Sequence, residues 1–152
     1  MSQSVAALIV AAGSGTRFGA RLPKVYVPLR GIPMLAYSLR AYDAVPRIGR
    51  IVVVAAPEHI HNATGICREA DIGTLWQVVP GGPRRQDSVR AGLQALADAP
   101  PDIVCIHDAA RPLVTVDTID AGIDAAIEHG AATACVPCTD TIKEFADDGS
   151  VS

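Results

Sequence analysis

Short runs of β-branched and other apolar residues alternate along this chain with stretches that have the apolar spacing of an amphipathic helix, and this alternation limits the fold strongly. Five runs are typical of buried strands: 5–10, 50–55, 75–79, 103–107 and 132–136. Three apolar sets recur at helical spacing: Leu35, Leu39 and Tyr42; Val89, Leu93 and Leu96; and Ile119, Ile123 and Ile127. Helix starts are predicted at Pro33, Pro57 and Asp117, and a helix end at Gly130. The sequence therefore predicts an α/β fold with a doubly wound, mostly parallel sheet.

The composition argues against several classes of function. The 152 residues are 49% apolar and 19% charged, which is enough for a sizeable core and unlike a disordered chain. Thirteen Lys and Arg against sixteen Asp and Glu give a net charge of −3, and only 4% of the residues are aromatic. We therefore expect no nucleic acid as a partner, because neither bulk charge nor base stacking would hold it.

No membrane span and no signal peptide are expected. The apolar run at 5–12 is too short to cross a bilayer, and no basic segment precedes it. Four cysteines, Cys67, Cys105, Cys135 and Cys138, are then expected to be reduced thiols of a cytoplasmic protein. The last two form a C-x-x-C pair at a predicted strand end. Because zinc would need a second ligand pair, both thiols are expected to be buried and unreactive.

The first motif, Ala11-Ala12-Gly13-Ser14-Gly15-Thr16-Arg17, directly follows the first predicted strand. Its glycines let the backbone N–H groups approach phosphate oxygens, and Arg17 and Lys24 add two cations. A tight strand-to-helix turn is the alternative. Phe18 replaces the last glycine of a dinucleotide-binding loop, and Ala20 follows Gly19 where a Walker loop needs lysine, so neither familiar phosphate loop applies.

Two further motifs follow later strands. Gly81-Gly82-Pro83-Arg84-Arg85-Gln86-Asp87-Ser88 comes after the 75–79 run, and its alternative is an ordinary loop with a helix start and solvated arginines. His107-Asp108-Ala109-Ala110-Arg111-Pro112 ends the 103–107 run. There Asp108 could ligate Mg²⁺ and Arg111 could bind a phosphate, or the two could form a local pair that braces a turn shaped in part by His107.

All three motifs follow the carboxyl end of a predicted parallel strand, where ligands of open α/β sheets bind. The sequence therefore predicts one crevice with glycine loops, cations and a carboxylate. Such a crevice suits a nucleoside triphosphate with Mg²⁺. It also suits phosphoryl or nucleotidyl transfer, in which positioning and charge neutralisation carry most of the catalysis.

At these positions the chain resembles the 2-C-methyl-D-erythritol 4-phosphate cytidylyltransferases. The matching pieces cover almost the whole chain in order: Ala11-Ala12-Gly13-x-Gly15-x-Arg17, Pro23-Lys24, Gly81-Gly82-x-x-Arg85-x-x-Ser88-Val89, Asp108-Ala109-Ala110-Arg111-Pro112 and Asp140-Thr141-Ile142-Lys143. The resemblance implies a Rossmann-like nucleotidyltransferase fold. It also implies transfer of CMP from CTP to methylerythritol phosphate with release of pyrophosphate, without a covalent enzyme intermediate.

The resemblance also implies residue roles. Arg17 and Lys24 match the catalytic pair, and Asp108 lies by the Mg²⁺. The positions implied to bind nucleotide are Ala11, Ala12, Gly13, Gly15, Gly82, Ser88 and Ala109, and those implied to bind the sugar phosphate are Arg111 and Thr141.

The resemblance divides the chain into a nucleotide-binding domain, 1–138, and the start of a dimerisation and substrate arm, 139–152. A homodimer is therefore implied. Family members continue past residue 152, so we expect a truncated arm and poor turnover by this chain alone.

Two alternative functions stay open at this point. One is ribitol-5-phosphate cytidylyltransferase, which is similar across the same motifs, although Ala11-Ala12 and Ala109-Ala110 favour the methylerythritol branch. The other is a nucleotide-binding module without catalysis, against which the presence of Arg17, Lys24 and Asp108 argues.

Overall fold

A computed structural model describes residues 3–13, 22–137, 139, 141, 143–144, 146–148 and 150–151. The strands within these ranges are β1 Val5–Ala11, β2 Pro28–Leu29, β3 Ile32–Pro33, β4 Ile48–Ala55, β5 Leu75–Pro80 and β6 Ile103–Asp108. The α-helices are α1 Met34–Asp43, α2 Ile60–Glu69, α3 Arg85–Gln94 and α4 Val116–His129. Two 3₁₀ turns, Lys24–Tyr26 and Pro57–His59, precede β2 and α2. None of the helices in the described ranges is long and apolar enough to cross a membrane.

Four of the predicted strands form one parallel sheet in the order β5-β4-β1-β6. The middle strand β1 is apolar along its whole length, as a strand covered on both faces must be. Its residue Val10 lies opposite Val54 of β4 on one side and Asp108 of β6 on the other. The strand order reverses direction between β1 and β6, which is where open α/β sheets bind ligands.

Helices cover both faces of the sheet, and the predicted doubly wound fold is confirmed. Alternate side chains of β1 enter two separate clusters: Ala7 and Ile9 join α1, α2 and α4, whereas Leu8 lies on the face that α3 covers. Gly92 lets α3 approach the sheet closely, since a Cβ atom there would overlap the side chain of Leu8.

The predicted helix boundaries are confirmed. Helix α1 begins directly after Pro33, and Pro57 begins the 3₁₀ turn that leads into α2. Helix α4 carries Asp117 in its first turn and ends at Gly130, whose φ of 83° is the left-handed conformation of a helix C-cap.

The predicted strand at 132–136 is wrong. Residues 131–137 pair with no strand and are exposed, Val136 by 85%, and Ile106 on the adjacent edge strand β6 is 44% exposed. The segment is built mainly from alanine and threonine, which bury little apolar area. Pairing of this segment with the β6 edge would therefore gain too little hydrophobic free energy to offset the entropy that the segment loses when it becomes ordered.

The cysteines lie in different environments: Cys67 is buried, Cys105 is half-buried and Cys135 is exposed. Burial raises the pKa of the Cys67 thiol to about 11 and raises the pKa of Cys105, as expected of unreactive thiols. Cys135 is exposed, so the prediction of a buried pair is wrong for this residue because its strand does not form. Cys138 lies outside the described residues.

The tail contains a turn at Asp147 and Asp148, where the sequence has the hairpin-turn dipeptide Asp148-Gly149. A carboxylate oxygen of Asp148 accepts a hydrogen bond from Ser150 N at 2.8 Å, and Ala146 N donates to Ser150 O at 3.0 Å. Within the described residues the second strand of this hairpin is reduced to one bridge residue, Val151, and Gly149 lies outside them.

Candidate functional site

The carboxyl ends of β1, β4, β5 and β6 open onto one cleft of about 1150 Å³, large enough for a ligand the size of a nucleotide. The loops after all four strands contribute, with Ala12 and Gly13 after β1, Ala56, Pro57 and Glu58 after β4, 81–85 after β5, and Asp108, Ala110 and Arg111 after β6. The predicted convergence of three motifs on one crevice is therefore confirmed.

The loop after β1 presents its backbone to the cleft. Ala11 is buried as the last residue of the strand, whereas Ala12 and Gly13 line the cleft wall. A Cβ atom on Gly13 would meet nothing within 4 Å, so the space above this backbone is open. Gly15 and Arg17 lie outside the described residues, and their implied roles stay predictions.

Lys24 lies on a short 3₁₀ turn at the cleft wall, as predicted. The next two residues are buried and anchor the turn, and the ring of Tyr26 packs against the ring of His59 at 5.1 Å between centroids. Burial, with a smaller effect of Glu58, raises the pKa of Tyr26 to about 12. This aromatic contact joins the turn that carries Lys24 to the turn that carries Glu58.

The loop after β5 packs directly on the loop after β1. A Cβ atom on Gly81 would lie 2.6 Å from the Cβ of Ala12 and 2.8 Å from the hydroxyl of Ser88. Ser88 is 2% exposed, and its hydroxyl accepts a hydrogen bond from Gly82 N at 3.2 Å. The Ser88 side chain thus fixes the backbone that presents Gly82 to the cleft.

Helix α3 begins at the cleft with two arginines that have different partners. Arg84 donates two hydrogen bonds to Asp87, at 2.9 and 3.0 Å, and these bonds lower the pKa of the Asp87 carboxyl. Arg85 instead extends to Asp108 at the end of β6, where its Nε donates to Oδ1 at 2.9 Å. The amino end of α3 adds its dipole to this positive rim.

Asp108 is held by two guanidinium groups. Besides Arg85, Arg111 approaches the second carboxylate oxygen with its Nε at 3.5 Å. The local ion pair of Asp108 with Arg111, which the sequence analysis gave as the alternative to ligand binding by these residues, is therefore present. The sequence motif contains Arg85, but no feature of the sequence indicated that it reaches a carboxylate 23 residues away.

A buried network supports the 108–111 turn from below. The Nε2 atom of His107 lies 3.2 Å from Ser38 Oγ and 3.2 Å from the carbonyl oxygen of Arg111, and Ser38 Oγ donates to the carbonyl of Ala109 at 3.3 Å. Because a carbonyl only accepts, we assign the proton to Nε2. Burial lowers the pKa of His107, so the ring is neutral at pH 7. Ala109 is fully buried, and its N–H donates to Val10 O at 2.9 Å.

Several residues of the site were not predicted from the sequence. Glu58 and Pro57 line the cleft after β4, and the rule that sites lie at strand ends could have found them. Ser38 is a polar residue on the apolar face of α1. That pattern indicates a buried hydrogen bond but does not identify His107 as the partner. Thr141, by contrast, is exposed in the tail and is not among the residues that line the cleft.

The cleft is positively charged although the whole chain is negative. Among the described residues that line it, Lys24, Arg84, Arg85 and Arg111 are basic, and Glu58 and Asp108 are acidic. The chain as a whole carries a net charge of −3. This concentration of cations favours an anionic ligand.

The acidic residues of the cleft fit a magnesium ion that arrives with phosphate. The described residues contain no cluster of three or more His, Cys, Asp or Glu side chains that could hold a metal by themselves. Magnesium commonly binds through one or two carboxylates, with water and substrate phosphates as its other ligands. Asp108, at the end of β6, could be such a carboxylate.

Comparison with known sequences identifies the family. The sequence profile of the 2-C-methyl-D-erythritol 4-phosphate cytidylyltransferases matches residues 5–152. The chain belongs to this family. Its members are nucleotidyltransferases by name, and the motifs of the cleft lie within the matched range.

Individual relatives agree with this assignment. The chain is 43% identical over 150 residues to the 2-C-methyl-D-erythritol 4-phosphate cytidylyltransferase of Pelotomaculum thermopropionicum, with 97% of this chain and 62% of the relative covered. It is 46% identical over 147 residues to a bifunctional enzyme IspD/IspF of Rhodopseudomonas palustris, with 96% of this chain and 36% of the relative covered.

The fold agrees with that of a solved structure. The 4-diphosphocytidyl-2C-methyl-D-erythritol synthase of Anaerococcus prevotii superposes with a TM-score of 0.85 at 28% identity, over 99% of this chain and 62% of that protein. The Pelotomaculum and Anaerococcus proteins are thus each matched over less than two thirds of their length. The predicted Rossmann-like fold is confirmed.

Proposed function

We propose that this chain binds CTP and 2-C-methyl-D-erythritol 4-phosphate and transfers CMP between them. The products would be 4-diphosphocytidyl-2-C-methyl-D-erythritol and pyrophosphate, which makes the protein an enzyme of isoprenoid precursor biosynthesis. The family membership supports the reaction, and the Pelotomaculum relative is named for the methylerythritol activity rather than the ribitol one.

The observation that carries the proposal is the meeting of the family motifs in one positive cleft. Lys24, Gly82, Ser88, Asp108 and Arg111 come from three separate stretches of sequence, and all line the same cleft of about 1150 Å³. A nucleotidyl transfer needs such a cleft, because its transition state concentrates negative charge on the transferred phosphoryl group.

In the proposed reaction a phosphate oxygen of methylerythritol phosphate attacks the α-phosphorus of CTP. The new P–O bond forms as the bond to the β-phosphate oxygen breaks, and pyrophosphate leaves. Lys24, with Arg17, would neutralise charge that develops on the α-phosphoryl oxygens. The backbone N–H groups of 11–15 would hold the triphosphate in line for attack.

The two ends of the bound reactants would be held by different loops. Gly82 and Ser88 would contact the cytosine, with Ala109 fixing the adjacent turn. Arg111 would bind the phosphate of methylerythritol phosphate. Thr141, which does not line the cleft in this structure, would have to be brought to that side by the tail. A bound Mg²⁺ would supply further charge neutralisation on the phosphates, and Asp108 is the residue that would hold it.

We further propose that the chain forms a homodimer in the cytoplasm. Residues 1–138 would form the nucleotide-binding domain, and 139–152 would begin the arm that contacts the second subunit. The described residues of the arm are all exposed, which leaves their side chains available for such a contact.

The reaction is tested by measuring pyrophosphate release from CTP and Mg²⁺ with methylerythritol phosphate or ribitol 5-phosphate at equal concentration. We expect release that depends on methylerythritol phosphate and falls about 100-fold in Lys24→Gln. Arg40→Gln is the matched control, since Arg40 is an exposed cation of α1 that does not line the cleft. Preference for ribitol 5-phosphate, or equal loss in both variants, would contradict the proposal.

A further inference from the structure

Both oxygens of the Asp108 carboxylate face a guanidinium group. Arg85 donates to Oδ1 at 2.9 Å from the first turn of α3, and Arg111 lies 3.5 Å from Oδ2. The carboxylate that would hold Mg²⁺ therefore already has two cationic neighbours.

These ion pairs are not needed to hold the fold together. The side chains of Arg85 and Arg111 are 60% and 76% exposed, and that of Asp108 is 36% exposed. Ion pairs at this exposure contribute little to stability. The sheet is held instead by its buried apolar clusters. The pair of Arg85 with Asp108 can thus be removed without unfolding the domain.

Charge determines what the Asp108 site accepts. A divalent cation at Asp108 would lie next to both guanidinium groups, and each repels it. The arrival of a triphosphate reverses this balance, because its oxygens attract the arginines and the metal alike. The metal and the nucleotide are therefore expected to enter this site together.

We propose that Arg85 excludes divalent metal from Asp108 until a nucleotide is bound, and then exchanges the carboxylate for a phosphate oxygen. Arg85 is on this account a positioning residue, which acts through Asp108. The nucleotide half of the proposal rests on the function proposed above, whereas the exclusion of metal does not.

The exclusion is tested without nucleotide. Mn²⁺ is titrated at low ionic strength into the wild-type chain and its variants, and free Mn²⁺ is followed by electron paramagnetic resonance. We expect Arg85→Gln to bind Mn²⁺ about tenfold more tightly than the wild type. The gain should disappear in the double variant Arg85→Gln/Asp108→Asn.

Arg84→Gln is the matched control, because Arg84 is the preceding residue but pairs with Asp87 instead of Asp108. It should bind Mn²⁺ as the wild type does. Equal Mn²⁺ affinity in the wild type and Arg85→Gln would overturn the proposal. A gain that survives the Asp108 substitution, or that Arg84→Gln reproduces, would also overturn it.

A second titration with CTP present tests the exchange. The difference in Mn²⁺ affinity between the wild type and Arg85→Gln should shrink to below about threefold, because the guanidinium groups then bind the triphosphate instead of Asp108. A difference that stays tenfold would overturn the exchange. If calorimetry shows that CTP does not bind at all, the proposed function fails, and the nucleotide-free titration still decides whether Arg85 excludes metal.

Discussion

Two glycines of the cleft have different surroundings. A side chain on Gly81 would collide with Ala12 and Ser88, so this glycine allows two loops of the protein to pack together. Gly13 has nothing within 4 Å of the position of its missing Cβ, so no neighbour in the described protein demands a glycine there. A ligand that approaches the backbone at Gly13 would explain it.

At the residue scale, Gly13→Ala should therefore leave stability within about 0.5 kcal/mol of the wild type while it weakens CTP binding about tenfold. Gly81→Ala should destabilise the domain by about 1–3 kcal/mol, because the new methyl group must displace packed atoms. Urea unfolding and calorimetric CTP binding measure both effects. Unchanged CTP affinity in Gly13→Ala would show that no ligand contacts this backbone.

At the element scale, α1 supports the candidate site from behind the sheet. Its Ser38 hydroxyl, fully buried, connects His107 with the carbonyl of Ala109. These contacts fix the turn that carries Asp108 and Arg111, so the position of both charged groups depends on a helix that does not itself line the cleft.

Ser38→Ala should cost about 1–2 kcal/mol of unfolding free energy, because it leaves buried partners without a hydrogen bond. It should also weaken binding of CTP with Mg²⁺ several-fold. Thr64→Ala is the control, since Thr64 donates within its own helix α2. A Ser38→Ala variant that loses stability but binds CTP normally would contradict a role in positioning the turn.

The end of α1 makes a second long-range contact that depends on pH. Burial acts to raise the pKa of Asp43, but hydrogen bonds from Thr74 and Gly73 outweigh it and hold the pKa below the ordinary 3.8. The unfolded chain therefore binds the proton first as the pH falls. The stabilising contribution is complete above about pH 5 and is lost as the pH falls below 4.

Asp43→Asn should thus be less stable than the wild type at pH 7, by about 1.5 kcal/mol, and should lose less stability between pH 6 and pH 3.5. Urea midpoints across this range measure the difference. Asp98→Asn, at an exposed carboxylate, is the control. The account is contradicted if Asp43→Asn and the wild type lose stability in parallel.

The sequence could predict most elements but few of the contacts between them. Apolar runs identify all four strands of the sheet: the central β1 and β4 are mostly buried, and the outer β5 and β6 are only partly buried. The apolar residues of 132–136 predict a strand. The segment does not pair with the β6 edge, because its small side chains bury too little apolar area. The contacts of Arg85 with Asp108 and of Ser38 with His107 join residues 23 and 69 positions apart, and no local pattern encodes them.

At the scale of the whole molecule, the proposed homodimer gives the arm, 139–152, its role. If the arm forms the dimer contact, removal of 139–152 should leave a folded monomer, whereas the chain 1–152 should sediment as a concentration-dependent dimer. Sedimentation velocity with circular dichroism as the folding control measures this. Identical sedimentation of both chains would contradict the proposed arm.

The cleft at the carboxyl ends of the strands is the site at which we propose that CTP binds. Calorimetry of this chain with CTP and Mg²⁺, compared with UTP, ATP, GTP and NADH, tests that claim most directly. We predict binding of CTP at least about tenfold tighter than that of the other nucleotides, a difference of about 1.4 kcal/mol. Equal binding of all nucleotides, preference for NADH, or no binding of CTP by the folded chain would contradict the account.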